Sequence, residues 1–376
     1  MADSGKQKRI QMRYRGRIPQ VLVYFGKFLR IFIYQNDWKV LPMAAVIAGM
    51  VSIVIRRSFN VTMEGTLLGA LALSCVAIWN GCFNSIQVIC RERNIIKREH
   101  RSGMHVSAYV MAHLLFQMII CLLQTGITLY VCSATGVRMT GEAPFTGSMM
   151  IDLGITIFLI SYAADTLSLF ISAISHTTMT AMTIMPFVLI FQLVFSGGMF
   201  TLPGRLQGLS SFTISHYGMR CVAAQAHYND LPLMSGWDTL SRMRNSVIDE
   251  DVTVDQVMDF LTENKSSLVT GFTDAEVGEG ETLRDVLREV KLQPSYQDVK
   301  DETYNIHFTI GDVIDLVGEK ELKAAVTDRG REAAYSESYE LSRTNIIDCW
   351  ISLITFAAAF TCLTILVLEF IDRDKR

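Results

Sequence analysis

Charge is scarce in this chain, and so are proline and any motif built to hold phosphate or zinc. Of 376 residues only 19% are Asp, Glu, Lys or Arg and seven are proline, against roughly 25% charge in an average globular domain. With half the residues hydrophobic, that composition excludes disorder, collagen and coiled coil together and argues against an ordinary soluble enzyme. No CxxC or Cys/His spacing suggests zinc. Seven of the eight cysteines sit inside apolar runs, Cys221 sits in a mixed stretch, and the polar stretch 231–345 has none. They read as small core hydrophobes, not as a disulfide framework. The two Gly-Lys pairs, Gly5-Lys6 and Gly26-Lys27, are followed by Gln7 and Phe28, so neither completes a GxxxxGK[ST] loop, whose backbone amides cradle phosphate. No ATP hydrolysis, catalytic constellation, bound metal or nucleic-acid partner is expected of this chain.

What the sequence has is hydrophobic length. A bilayer core of about 30 Å needs about 20 apolar residues in helix, and six windows supply them: about 38–56, 65–88, 105–133, 147–173, 177–200 and 346–369. Neither Gly65–Val88 nor Thr177–Phe200 contains a charged residue. The first window follows some 37 residues and lacks a small-residue cleavage site, so it is not a cleaved signal peptide.

The charges divide unevenly. Residues 231–345 hold 24 acidic and 12 basic side chains, and the remainder is basic. Basic residues in short loops mark the cytoplasmic side. Lys6, Lys8, Arg9, Arg13, Arg15, Arg17, Lys27 and Arg30 precede the first window, and Arg91, Arg93, Lys97, Arg98 and Arg101 follow the second. Six crossings then put both termini in the cytoplasm and the acidic block outside, with Arg56 and Arg57 as a mild exception. Val21, Tyr24, Phe28, Ile31 and Phe32 recur at helical spacing ahead of the first window, either as a helix lying in the interface plane or as an extension of the first span.

The fold class expected is therefore an all-α integral membrane protein: six transmembrane helices, an N-terminal interfacial helix and a mostly helical extracytoplasmic insertion. Residues 1–37 form the basic tail and interfacial helix, 38–230 spans one to five, 231–345 the acidic domain, and 346–376 the last span and tail. Within the acidic domain, Val252–Leu268, Thr282–Leu292 and Ile310–Val326 have helical periodicity, with Thr253 or Asp251 and Thr309 as caps. His307 stands alone there, among carboxylates that read as a solvated face.

The stretch after span two is the most specific in the chain. It runs Arg91-Glu92-Arg93-Asn94-Ile95-Ile96-Lys97-Arg98-Glu99-His100-Arg101-Ser102-Gly103, and Val106-Ser107-Ala108-Tyr109 opens the next span. The order Glu92, Glu99, Ser102-Gly103, Ser107-x-Tyr109 resembles the loop of ABC-2 type permeases, most closely the ABCG-like branch. Asn80-Gly81-Cys82-Phe83-Asn84-Ser85 is similar to that family's cavity-lining segment, and Phe195-Ser196-Gly197 with Ile214-Ser215-His216-Tyr217-Gly218 to its outer gate and re-entrant hairpin. The resemblance covers about residues 20–230 and the last span, leaving the acidic block aside.

The resemblance implies a permease subunit of an ABC exporter. Arg91, Glu92, Arg93, Lys97, Arg98, Glu99, Ser102 and Gly103 would then form a coupling helix on a separate ABC ATPase subunit, which carries the ATP and Mg; no cofactor is bound by this chain. A second permease copy, identical or related, would complete the pathway in the cell membrane, in contact with lipid. Two other readings stay open: a sensor or resistance complex without net transport, and a membrane anchor presenting the acidic domain.

Polar residues inside spans are costly and mark function or interhelical bonding. Asn80, Asn84 and Gln87, with Phe83 between them, share one face of span two, which either borders a pathway or bonds to neighbouring helices. Asp165 lies on a stripe with Ser161, Ser168 and Ser172, either at the pathway or in a structural hydrogen bond. Phe187, Phe191 and Phe195 form an aromatic stripe available for packing, lipid or substrate. Asp152 and Asp348, near span ends, are expected to reach water.

This topology predicts that, without reactive native thiols, a cysteine replacing Ser295 reacts with an impermeant maleimide on intact cells. One replacing Lys97 should react only after permeabilisation; the reverse pattern would invert the assignment.

Overall fold

The computed structural model describes residues 16–35, 37–198, 204, 207–263, 269–270, 273–274, 276–278 and 281–370. The basic stretch before residue 16, the tail from 371, the end of the fifth apolar window and residues 264–268 lie outside them. The described chain divides into two compact units, one of residues 1–234 and 330–376, the other of 235–329.

The first unit is built from helices: α1 (Arg17–Tyr34), α2 (Val40–Ile55), α3 (Met63–Ser85), α4 (Val88–Arg101), α5 (Val106–Ala134), α6 (Met149–Ile174), α7 (Thr178–Val194), the single turn α8 (Gln207–Ser210), α9 (Ile214–Gln225) and, at the end of the chain, α16 (Arg343–Glu369). Among the described residues five helical segments are long and apolar enough to cross a membrane: Asp37–Ile55, Met63–Arg101, Val106–Ala134, Met149–Ile174 and Arg343–Glu369. They fall on five of the six expected windows. The fifth window holds α7, a shorter apolar helix of 17 residues.

Start signals are local. Thr62 accepts from the Gly65 amide at the head of α3, Thr177 from Thr180 at α7, and Ser342 from Asn345 at α16, each satisfying a donor that has no partner within the helix. Helix α6 is the centre of the unit, packed by α3, α5, α9 and α16. Lipid supplies no hydrophobic force between helices, so close backbone approach has to bind them. At Gly81 that approach is extreme: a Cβ there would lie 2.0 Å from the Ser161 carbonyl oxygen.

Helix α9 packs against the end of α7 and the first turns of α6 and α16. The Ser215 amide donates to Gln192 Oε1 at 3.1 Å, and the Ser215 hydroxyl donates to the Gln192 carbonyl. Gln225 Nε2 donates to the Asp152 carbonyl, and Trp350 Nε1 to Thr156 Oγ1 at 2.8 Å. Asp152 corrects the expectation that it reaches water. It is fully buried, and its carboxylate accepts from the amides of Phe145 and Thr146 and from the Thr146 hydroxyl, pinning the loop that leads into α6. Asp348 is exposed, as expected.

The second unit is less helical than its periodicity suggests. It contains α10 (Ser235–Arg242), β1 (Val247–Thr253), α11 (Val254–Glu263), β2 (Glu276–Gly278), β3 (Glu281–Thr282), α12 (Leu283–Lys291), α13 (Pro294–Val299), β4 (Thr303–Thr309), α14 (Ile310–Val317) and α15 (Glu319–Ala334), which ends in the first unit's residues. Strands β1 and β4 pair antiparallel from Val247↔Thr309 to Thr253↔Thr303. The sequence of β1, Val-Ile-Asp-Glu-Asp-Val-Thr, has three consecutive acidic residues, a type depleted in strands, between its β-branched ends, and its pairing comes from a partner distant in sequence. The single helix expected over Ile310–Val326 breaks at Gly318, where φ is +95°, a conformation glycine adopts without strain.

Thr309 and Thr282 each close a reciprocal capping box, with Asp312 and Asp285 respectively. Hydrogen bonds from Thr309, backbone first, hold the Asp312 carboxyl below the usual carboxylate range. The stability this adds is present above the ordinary carboxylate pKa and is lost as pH falls through the lowered value.

The Gly81 contact is with backbone, which cannot swing away. Gly81→Ala should therefore part α3 from α6 and lower stability by about 1–3 kcal/mol, read as a fall in the melting temperature of the detergent-purified protein. An unchanged melting temperature would mean that the two helices do not approach this closely.

Candidate functional site

The charged segment between α3 and α5 forms its own helix, α4, and its hydrogen bonds determine which residues it offers outward. Its first turn has no cap of its own: Gln87 makes no side-chain cap bond. Ser172 on α6 takes that role, its Oγ accepting from the amides of Ile89 at 3.1 Å and Cys90 at 3.2 Å. Arg93 reaches the other way. Its Nη1 donates to the carbonyls of Ala173 and Ser175 at the end of α6, at 2.9 and 3.0 Å, where the last helical carbonyls lack partners and favour a cation.

Glu92 and Glu99 lie seven residues apart and face the same way, toward the protein. Glu92 Oε2 receives Lys27 Nζ from α1 at 3.1 Å and the Tyr109 hydroxyl from α5 at 3.2 Å, with its side chain 14% exposed. Glu99 Oε2 receives the Tyr24 hydroxyl at 3.1 Å. Burial first, then Glu99, pushes the Tyr24 phenol up, so it remains a donor. Gln20 completes the clasp: its Nε2 donates to the Gly103 carbonyl and its Oε1 accepts from the His105 amide at 2.9 Å. Gly103 has φ +98°, which suits the reversal from α4 into α5.

Helix α1 is held by aromatic edges as well as by charge. Phe28 lies 5.3 Å from Tyr109 and 5.1 Å from His113, and Phe32 lies 5.6 Å from Phe116. The expected face of α1 is the one turned to α5, while Leu22, Leu29 and Ile33 stay exposed on the other side.

What α4 leaves outward is Arg91, Asn94, Ile95, Arg98, Arg101 and Ser102, one stripe at three and four spacing. Lys97 is half-buried, and the Ser102 hydroxyl donates to the Arg98 carbonyl at 3.0 Å. The stripe is basic with one exposed isoleucine.

The polar residues of α3 separate. Asn80 is buried. Asn84 exchanges two hydrogen bonds with Gln124 on α5, at 2.9 and 3.0 Å. Gln87 is half-buried, and Phe83 is 48% exposed. Phe83 continues an apolar outer stripe through Leu68, Cys75 and Trp79. On α7, Phe187 is 71% exposed, and the rings of Phe191 and the C-cap Phe195 lie 4.8 Å apart, tilted by 40°.

Asp165 is fully buried in a seam among α3, α5 and α6. Ser85 Oγ lies 2.5 Å from Asp165 Oδ1, 2.9 Å from His113 Nε2 and 3.1 Å from Gln117 Nε2. Sequence reasoning passed over this partner set. The signal was there: His113, Gln117 and Gln124 stand at i, i+4 and i+11 on a span without charge, a polar stripe matching that of α3. Among the described residues, no group of three or more His, Cys, Asp and Glu is placed to hold a metal ion.

A family model, that of the ABC-2 type transporters, matches residues 8–224, more than half of the chain. An ABC transporter ATP-binding/permease protein of Mycobacterium tuberculosis is 27% identical over 154 residues, 40% of this chain and 18% of that protein. The chain thus spans under a fifth of that relative's length.

If Lys27–Glu92 holds α1 to α4, Glu92→Lys should cost about 2 kcal/mol, the scale of a hydrogen bond to a charged group. The exchange Lys27→Glu with Glu92→Lys should recover most of it. The check is the melting temperature of the wild type and the two purified variants; equal values for the single and exchanged forms would remove the ion pair as the fastening.

Proposed function

Because the chain belongs to the ABC-2 type transporter family, we propose that it is the permease of an ABC exporter, driven by ATP hydrolysis on a separate ABC ATPase subunit that docks on α4. The family match and the apolar helices make it a multi-pass membrane protein. The finer reading adds α7 as a sixth span, α1 in the interface plane, both termini in the cytoplasm and the acidic unit outside.

The observation that carries the proposal is the arrangement of α4. Its glutamates, its first turn and Arg93 are fastened to α1, α5 and α6. A push on the outward stripe is therefore delivered to three other helices at once, as a rigid element between a motor and a pathway requires. Coupling through packed elements needs such contiguity. Within the stretch expected to couple, Arg91 and Arg98 take the contact role, Glu92, Glu99 and Arg93 the transmitting role, and Ser102-Gly103 the turn.

The pathway lies between this chain and a second copy, along the exposed stripe of α3 and the face of α7. Phe83, Phe187 and Phe191 meet substrate or the partner there, and Gln87 supplies polarity near the α4 end. Asn84 is occupied by Gln124, so its part is to hold α3 on α5. Asn80 and Asp165 are buried within the subunit and set helix packing behind the pathway. Exposed apolar stripes of this kind call for lipid or a partner.

Arg91 and Arg98 are exposed, so replacing both with Glu should leave folding intact while the charge complementarity that selects the docking partner is reversed. The test is co-purification with the ABC ATPase and its rate in the complex. Stimulation should fall at least about tenfold, the equivalent of about 1.4 kcal/mol. Wild-type stimulation with both charges reversed would exclude α4 as the docking element.

A further inference from the structure

Behind α1 lies a cavity of about 240 Å³ with two kinds of wall, bordered by α1 to α5 and α7. Phe28, Phe32 and Phe116 make one side apolar, while Asp37, Gln87 and Arg91 make another polar and charged. The other polar residues that line it are already engaged. His113 and Gln117 are almost fully buried and bonded to Ser85, Asn84 is bonded to Gln124, and Glu92 receives Lys27 and Tyr109. Asp37, Gln87 and Arg91 differ from these: among the described residues their side chains have no ion-pair or hydrogen-bond partner, and they do not pair with one another.

Position and size narrow the occupant. Asp37 opens the first spanning segment, and Arg91 lies where the second, Met63–Arg101, turns charged. Consecutive spans run antiparallel, so both residues belong to the same side of the bilayer, whichever side that is, at the depth of lipid headgroups. The cavity is not enclosed, and Phe83 and Met182 on its wall are partly exposed. Its volume is below the roughly 300 Å³ at which a site takes in a whole drug-sized ligand, so the occupant is a molecule that lodges one end and leaves the rest outside. Asp37 calls for a cation and Arg91 for an anion. A single ion would leave one of the two unanswered, and neither ion alone would use the aromatic wall.

We propose that this cavity holds the headgroup end of an ethanolamine phospholipid. Asp37 accepts hydrogen bonds from the primary ammonium, Arg91 and Gln87 donate to the phosphate, and the first carbons of one acyl chain lie against Phe28, Phe32 and Phe116. The rest of the lipid leaves past Phe83 and Met182 into the bilayer. Ethanolamine suits the site better than choline because a carboxylate accepts hydrogen bonds and choline has no N–H to give. The site is contained in one subunit and needs neither a second copy nor the ATPase. Its occupant touches α1, α4 and α5 together, the helices that the Glu92 and Glu99 bonds join.

The test uses the full chain, without the ATPase, in nanodiscs of a choline phospholipid doped with an ethanolamine phospholipid that carries a photoreactive diazirine near the start of one acyl chain. Labelling should saturate and map to peptides of α1 and α5. The same molecule with a glycerol headgroup, which keeps the phosphate and lacks the cation, should label about tenfold less, the scale of a hydrogen bond to a charged group. Asp37→Lys should invert that preference, so that the glycerol form labels better than the ethanolamine form. A folding defect lowers both forms alike, so the inversion reports the headgroup contact itself. Soluble glycerophosphoethanolamine, the headgroup without its chains, should not displace the lipid at equal concentration. Labelling that does not saturate, equal labelling by the two headgroups, a preference unchanged by Asp37→Lys, or displacement by the soluble headgroup would overturn the proposal. With no ATPase present, a failure of docking on α4 cannot produce any of these results.

Discussion

Hydrocarbon offers no hydrogen-bond partners, and most of the first unit follows from that constraint. A polar group carried into such surroundings has to be satisfied by protein or by something bound to it. The seam among α3, α5 and α6 meets the demand with short side chains and amides: Asn84 with Gln124, Ser85 with Asp165, His113 and Gln117, Ser172 with the first amides of α4. Small residues then let the backbones close on one another, most tightly where Gly81 meets Ser161. Hydrogen bonding and small-residue packing are two halves of one solution, since helices in lipid have no hydrophobic gain from meeting.

The same constraint explains why α4 can be charged and still be rigid. It lies where the chain leaves the apolar region, so its arginines can reach water, but its glutamates turn back to Lys27, Tyr24 and Tyr109. Ser172 and the end of α6 receive its first turn and Arg93. A helix fixed on three sides with one basic stripe outward is suited to receive a partner and pass on its movement. A flexible loop of the same composition would bind without transmitting.

The acidic unit obeys ordinary aqueous rules. Two of its helices start at threonine capping boxes, its ion pairs such as Arg284–Asp274 and Lys291–Asp259 are partly exposed, and contacts of this kind contribute modestly. Its order comes from strand pairing and caps more than from a large core, which fits a chain segment with few long apolar runs.

Length and hydrophobicity determined five spans and placed α7, because a run of about 20 uncharged residues has few other solutions. The capping of α14 at Thr309 and the amphipathic α1 were likewise legible, since each rests on residues close in sequence. Glu92 and Glu99 could be read as sharing a face, because seven residues make nearly two turns, but which way that face points depends on Lys27 and Tyr109, which are remote in sequence. Strand β1 was hidden for the same reason: its acidic sequence becomes a strand only beside β4. Whether Asn84 borders a pathway or grips Gln124, whether Asp152 meets water or a loop, and that Asp37 and Arg91 border one cavity, were decided by the tertiary structure alone. A helical period tells which residues are neighbours on one helix; only packing tells what stands opposite them.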